Sequence, residues 1–183
     1  MRDDRTPLLI LGLGNLLCAD DGVGVSAVAC LMEDWEAPEG VVVMDGGTLG
    51  LSLLPYLQDA RRVILVDAVR ADAPPGSLVR LEGEDVGYAV AARLSPHQVG
   101  VADLLQGAHL IGRYPDAVVL VGIVPSSIAL GLARTPAVQA GIPALVSNVL
   151  AEAANFGFCF QPRGYEEAHR IRDRADPVRA AAL

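Results

Sequence analysis

This sequence predicts a three-layer α/β/α sandwich with a mostly parallel, twisted sheet and one antiparallel strand. Three observations carry that expectation. Short apolar runs closed by turn residues alternate with segments whose apolar residues recur at helical spacing. The runs are rich in Val, Leu and Ile without polar alternation, as in strands buried on both faces. Aromatic residues are only 4% of the 183 residues while 52% are apolar, so an aliphatic core must cover the sheet.

The elements follow in order. Leu8–Leu13 reads as a buried strand, and Val23 to Trp35 as a helix with Val25, Val28, Ala29 and Met32 on one face. Val41–Met44 is a second strand ending at Asp45-Gly46-Gly47-Thr48, followed by a short helix over Leu51–Leu57. Val63–Val66 is a third strand ending at Asp67. Pro74-Pro75-Gly76 is a turn, and Ser77–Leu81 an edge strand. Too little chain separates it from Val66 for a crossover helix, so it is expected to be antiparallel. Val101–Leu110 is helical, and Ala117–Val121 a further strand extended by Gly122-Ile123-Val124. Thr135-Pro136 has the form of an N-cap with proline at the first helical position. Val138, Ile142, Leu145, Val146, Val149, Leu150 and Ala153 then mark a long amphipathic helix, which Pro143 should kink or truly begin. Residues 1–161 are expected to form one domain. From 162 to 183 a charged tail, helical or disordered, carries Arg163, Arg170, Arg172, Arg174 and Arg179.

Composition excludes several classes. A net charge of −8 argues against nucleic acid or an anionic membrane surface as partner. Cys18, Cys30 and Cys159 form neither a disulfide framework nor a C-x-x-C metal site. A reducing compartment fits them, and with no signal peptide or membrane span in the sequence the chain is expected in the cytoplasm.

The richest segment is Gly12 to Ser26, a strand–turn–helix with glycines in the turn. Such turns often cradle phosphate, but Asp20 and Asp21 stand in this one, and no Lys does. Two carboxylates repel a pyrophosphate and attract a cation, which counts against a nucleotide-binding enzyme. In an open α/β sheet, ligands bind beyond the carboxyl ends of the strands. Three strands here end at acids: Asp20 and Asp21, Asp45, and Asp67. A loop with His97 and Gln98 then leads into a helix. Two carboxylates and an imidazole suit a metal ion, and paired carboxylates also suit acid–base work; residue types alone do not separate the two. Ordinary structural roles compete. Asp20 or Asp21 is expected to cap the following helix, and Asp45 suits a turn. Asp67, flanked by apolar residues, needs a partner. His109 and His169 read as surface residues. Nucleophilic catalysis is poorly supported: no G-x-S-x-G occurs, and acids beside Cys18 should raise its pKa.

Taken together, Gly14-Asn15-x4-Asp20-Asp21-Gly22-x-Gly24, Asp45-Gly46-Gly47-Thr48, Val66-Asp67-Ala68 and Ser95-Pro96-His97-Gln98 resemble the hydrogenase maturation endopeptidases. The resemblance continues through Val121-Gly122-Ile123-Val124-Pro125 and Thr135-Pro136 and covers about residues 8–157. It implies an endopeptidase that trims a C-terminal extension from the nickel-loaded large subunit of a [NiFe] hydrogenase, the precursor being its partner. It also implies that Asp21, Asp67 and His97 contact the metal and carry the catalytic chemistry. The nickel is then supplied by the substrate and is not held tightly by the free protein. Many members carry Glu where this chain has Asp21, one methylene shorter. A non-catalytic chaperone recognising the same subunit is the alternative; intact acids and His97 favour the enzyme.

Overall fold

The computed structural model describes residues 4–91 and 99–164. Its sheet has five strands: β1 (Leu8–Leu13), β3 (Val41–Gly47), β4 (Arg62–Ala68), β5 (Leu78–Glu82) and β6 (Ala117–Ile123). Their order is β3-β1-β4-β6-β5. The first four are parallel, and β5 pairs antiparallel with β6 at the edge, as the short link before residue 77 predicts. In register, Gly12 of β1 stands between Asp45 of β3 and Val66 of β4, and Asp67 faces Gly122 of β6.

Side chains sort by strand alternation. Leu8, Ile10, Ile64, Val66, Val119 and Val121 pack beneath α1 (Val23–Asp34) and α5 (Pro136–Asn155). Leu9, Leu11, Val63, Leu65, Val118 and Leu120 pack on the other side, against α2 (Leu54–Gln58), α3 (Glu84–Ala91) and α4 (Val99–Leu110). Both faces of β1, β4 and β6 are therefore dry, which is why these runs read as continuously apolar.

Several boundaries differ from expectation. β3 and β4 run on through Asp45–Gly47 and through Asp67, because parallel neighbours still offer ladder partners there. The first helix stops at Asp34. Trp35 leaves it for β2 (Trp35–Glu36), which pairs antiparallel with β7 (Gln161–Pro162). The short helix divides into a 3-10 turn, Gly50–Leu53, and α2. α3 is an element beyond those expected, because its short charged start has no clear period. α5 begins at Pro136, seven residues ahead of Pro143. Pro143 is tolerated inside it because it lies on the exposed face, where water can reach the carbonyl it leaves unpaired. By length and composition α5 could cross a membrane. Here its Val138, Ile142, Leu145, Val149 and Ala153 are buried on the sheet, as in a core helix. Of the charged tail, residues 165–183 lie outside the described residues.

Candidate active site

The parallel arrangement brings the ends of β1, β3 and β4 to one edge, and the acids come with them. The chain turns out of β1 at Gly14, whose φ is +122°. A Cβ there would lie 1.9 Å from the Asp21 carbonyl oxygen, so only glycine lets the turn close. Asn15 then organises the loop. Its side-chain oxygen accepts the Leu17 N–H at 2.9 Å, an Asx turn, and its own N–H donates to Asp21 Oδ2 at 2.8 Å. A 3-10 turn, Ala19–Gly22, carries both aspartates into α1. The helix is pressed hard onto the sheet: a Cβ on Gly24 would lie 2.0 Å from the Val66 carbonyl and 2.5 Å from that of Leu13. Asp21, one turn before Gly24, is thereby fixed beside the end of β4, where Asp67 stands.

The two adjacent aspartates differ in their surroundings, although both are fully buried. Asp20 accepts four hydrogen bonds. Ser126 N, Ser127 N and Thr135 Oγ1 donate to Oδ2 at 2.9, 2.9 and 2.8 Å, and Thr135 N donates to Oδ1 at 2.7 Å. Burial pushes its pKa up, but the Ser127, Thr135 and Ser126 bonds outweigh that and hold it below the usual 3.8. Neither aspartate caps its own helix, contrary to expectation: α1 and the 3-10 turn have no side-chain cap. Asp20 instead sits at the N-terminus of α5, where the helix dipole favours an anion. Thr135, the expected cap of α5, has the right extended backbone but sends its hydroxyl to Asp20.

Asp67 is 1% exposed. Its Oδ1 accepts the Ala68 N–H at 2.6 Å. By alternation it shares a face with Val63 and Leu65, the face that α4 covers. α4 descends toward the opposite edge, where Asp116 N–H donates to the Arg61 carbonyl just before β4. Its first turn therefore points back to the acid-bearing edge. His97, two residues before α4, lies outside the described residues, as do Ser95, Pro96 and Gln98. Asp45 is exposed at this edge. Among the described residues no three His, Cys, Asp or Glu side chains stand close enough together to hold a metal.

Two participants were not legible in the sequence as such. Asn15 was visible only as part of Gly14-Asn15, and the Ser126–Thr135 loop only as a link between β6 and α5. A groove of about 630 Å³ at the opposite edge is lined by Arg80, Glu82 and Glu152 together with apolar residues such as Val118 and Phe156. There Arg80 grips Glu152 with two bonds, at 2.8 and 2.9 Å.

Comparison with known proteins bears on the family and the fold. A family profile described as hydrogenase maturation protease matches residues 25–152. The hydrogenase 2 maturation protease of Escherichia coli K12 is 34% identical over 157 residues, covering 85% of this chain and 96% of the relative. The hydrogenase expression/formation protein HupM of Azotobacter chroococcum is 40% identical over 159 residues, covering 85% and 76%. Among solved structures, the hydrogenase maturating endopeptidase HybD from E. coli superposes with TM-score 0.82 at 35% identity, covering 86% of this chain and 98% of that one. The [NiFe] hydrogenase maturation protease HybD from Thermococcus kodakarensis superposes with TM-score 0.65 at 30% identity, covering 80% and 99%.

Proposed function

This chain belongs to the hydrogenase maturation protease family and is an endopeptidase, and on that premise we infer that it removes a C-terminal extension from a nickel-loaded [NiFe]-hydrogenase large subunit, using Asp21, Asp67 and His97. One observation carries the assignment of the site: two buried carboxylates, Asp21 and Asp67, stand at the same edge of adjacent parallel strands. The position of His97 just ahead of α4, whose first turn faces that edge, supports the third member.

The substrate brings the metal. Its nickel lies near the scissile bond, and the two carboxylates and the imidazole take open positions on it, a donor set suited to a borderline cation. The metal then polarises the scissile carbonyl or activates a water; with the metal acting as an anchor alone, a carboxylate serves as general base. Asp21 is held in place by the Asn15 N–H, which donates to its Oδ2 at 2.8 Å. With so few ligands, the free protein holds nickel weakly, so the metal of the precursor decides whether cutting occurs. The reaction belongs in the cytoplasm, where Cys18, Cys30 and Cys159, none of them in a disulfide, stay reduced.

The test is incubation of the purified chain with nickel-loaded and nickel-free precursor, followed by mass measurement. Loss of the extension from the loaded precursor alone is expected. Equal cleavage of both would refute the nickel-dependent part, and cleavage of neither would refute the substrate.

A further inference from the structure

Large aliphatic side chains stand in solvent at the acid-bearing edge, five of them on two loops. Leu16 and Leu17 follow β1; Ile128, Leu130 and Leu132 follow β6. Leu130 and Leu132 are 87% and 77% exposed, far beyond the scattered half-exposed leucines that any surface carries. β4 lies between β1 and β6, yet their loops are sewn together. Ala19 N–H donates to the Gly131 carbonyl at 2.7 Å, Gly131 N–H to that of Leu17 at 2.9 Å, and Asp20 N–H to that of Ser127 at 3.0 Å. The Asp20 carboxylate closes the seam with its four bonds. A slack loop would fold its leucines back onto the core. Here the backbone is pinned through Gly131, between the two most exposed of them, so their exposure is built in.

The patch is also uncharged on a chain of net charge −8. Across 14–22 and 126–135 the charged residues are Asp20 and Asp21, both buried, and Arg134, half-buried against Ser26. Leu16 packs over Gly22, where an added Cβ would lie 2.8 Å from Leu16 Cα, so the patch begins beside Asp21.

We propose that this two-loop apolar patch is the docking surface for the folded body of the large-subunit precursor. The proposal rests on the reading that the peptide is cut at Asp21 and Asp67. Its occupant is argued from continuity: a protein whose chain lies at Asp21 must cover Leu16 and Leu17, and the seam extends that contact to Leu130 and Leu132. A second copy seated here would shut the site it needs open.

The experiment compares the wild-type chain with the double variant Leu130→Ser, Leu132→Ser on purified nickel-loaded precursor, following cleavage by mass. Neither residue belongs to the catalytic machinery. An increase in KM of at least about tenfold is expected, since each side chain would otherwise bury most of its apolar surface. A kcat within about twofold of wild type is expected alongside it, with an unchanged melting temperature. Unchanged KM in a variant that cuts normally would overturn the patch and leave the processing reading intact. A wild-type chain that neither binds nor cuts the precursor would overturn both. A wild-type dimer in sedimentation that becomes a monomer in the variant would overturn the proposal in favour of a second copy.

Discussion

Replacing Asp20 by Asn and Asp21 by Asn, one at a time, separates two roles that adjacent carboxylates have divided between them. Three of the four donors around Asp20 converge on Oδ2, and the fourth, Thr135 N–H, reaches Oδ1. An asparagine has one acceptor oxygen. With that oxygen in the Oδ2 position, its NH2 opposes the Thr135 N–H; flipped, it opposes those of Ser126 and Ser127. Hydrogen bonds to a charged group are worth about 1.5–3 kcal/mol each net, and the leftover amides recover part of this from water, so the loss is roughly 2–4 kcal/mol. In a chain of this length that lowers the melting temperature by roughly 5–15 °C. Asp21→Asn removes a charge at a position where Asn15 N–H can still find an acceptor. It is expected to shift stability by about 1 kcal/mol or less while cutting processing by orders of magnitude. Thermal and urea unfolding, run beside a mass assay of precursor cleavage, measure both effects. Equal stability losses in the two variants, or Asp20→Asn melting within a degree or two of wild type, would refute this division.

Three further expectations concern other positions in the chain. Gly24→Ala drives a methyl group into two strand carbonyls and should cost more than about 4 kcal/mol, read as loss of soluble, cooperatively melting protein; a melt within a few degrees of wild type would contradict the packing. Arg80, through its paired hydrogen bonds and against the opposing effect of burial, holds the Glu152 carboxyl below its usual 4.5. A carboxyl depressed on folding contributes stability above its ordinary range and loses it as pH falls through the folded value. Arg80→Ala should therefore cost about 2 kcal/mol at pH 7, discounted for the half-exposed guanidinium, and the gap from wild type should narrow as the pH falls below the ordinary 4.5 through the lowered folded value in urea titrations. His97→Ala should abolish precursor cleavage at a stability within about 1 kcal/mol of wild type, and Asp67→Asn should likewise lose cleavage at near-normal melting temperature. Retained cleavage by both would remove the support for this site, and an unfolded His97 variant would mark a structural histidine.

Local pattern determined a large share of this protein. The continuous apolar runs at Leu8–Leu13, Val63–Val66 and Ala117–Val121 named the inner strands because both faces of each are buried. The short link before residue 77 named the antiparallel edge because no crossover fits in it. Acids placed just after such strands were bound to share one edge, since parallel strands all end on the same side. α3 is not legible in the sequence because a helix of eight residues with exposed glycine and charge carries too little periodicity. What local pattern had no means to decide was which aspartate is structural; only the family resemblance pointed to Asp21 as the other one. Asp20 and Asp21 are chemically identical neighbours before a glycine, and local rules make either one a cap. The distinction comes from Ser126 and Thr135, which lie 106 and 115 residues further along the chain and meet Asp20 only because β6 and α5 return across the top of the sheet. Once those donors claim one carboxylate, its charge is held fixed inside the fold, and Asp21 takes a different set of partners, the Asn15 N–H among them.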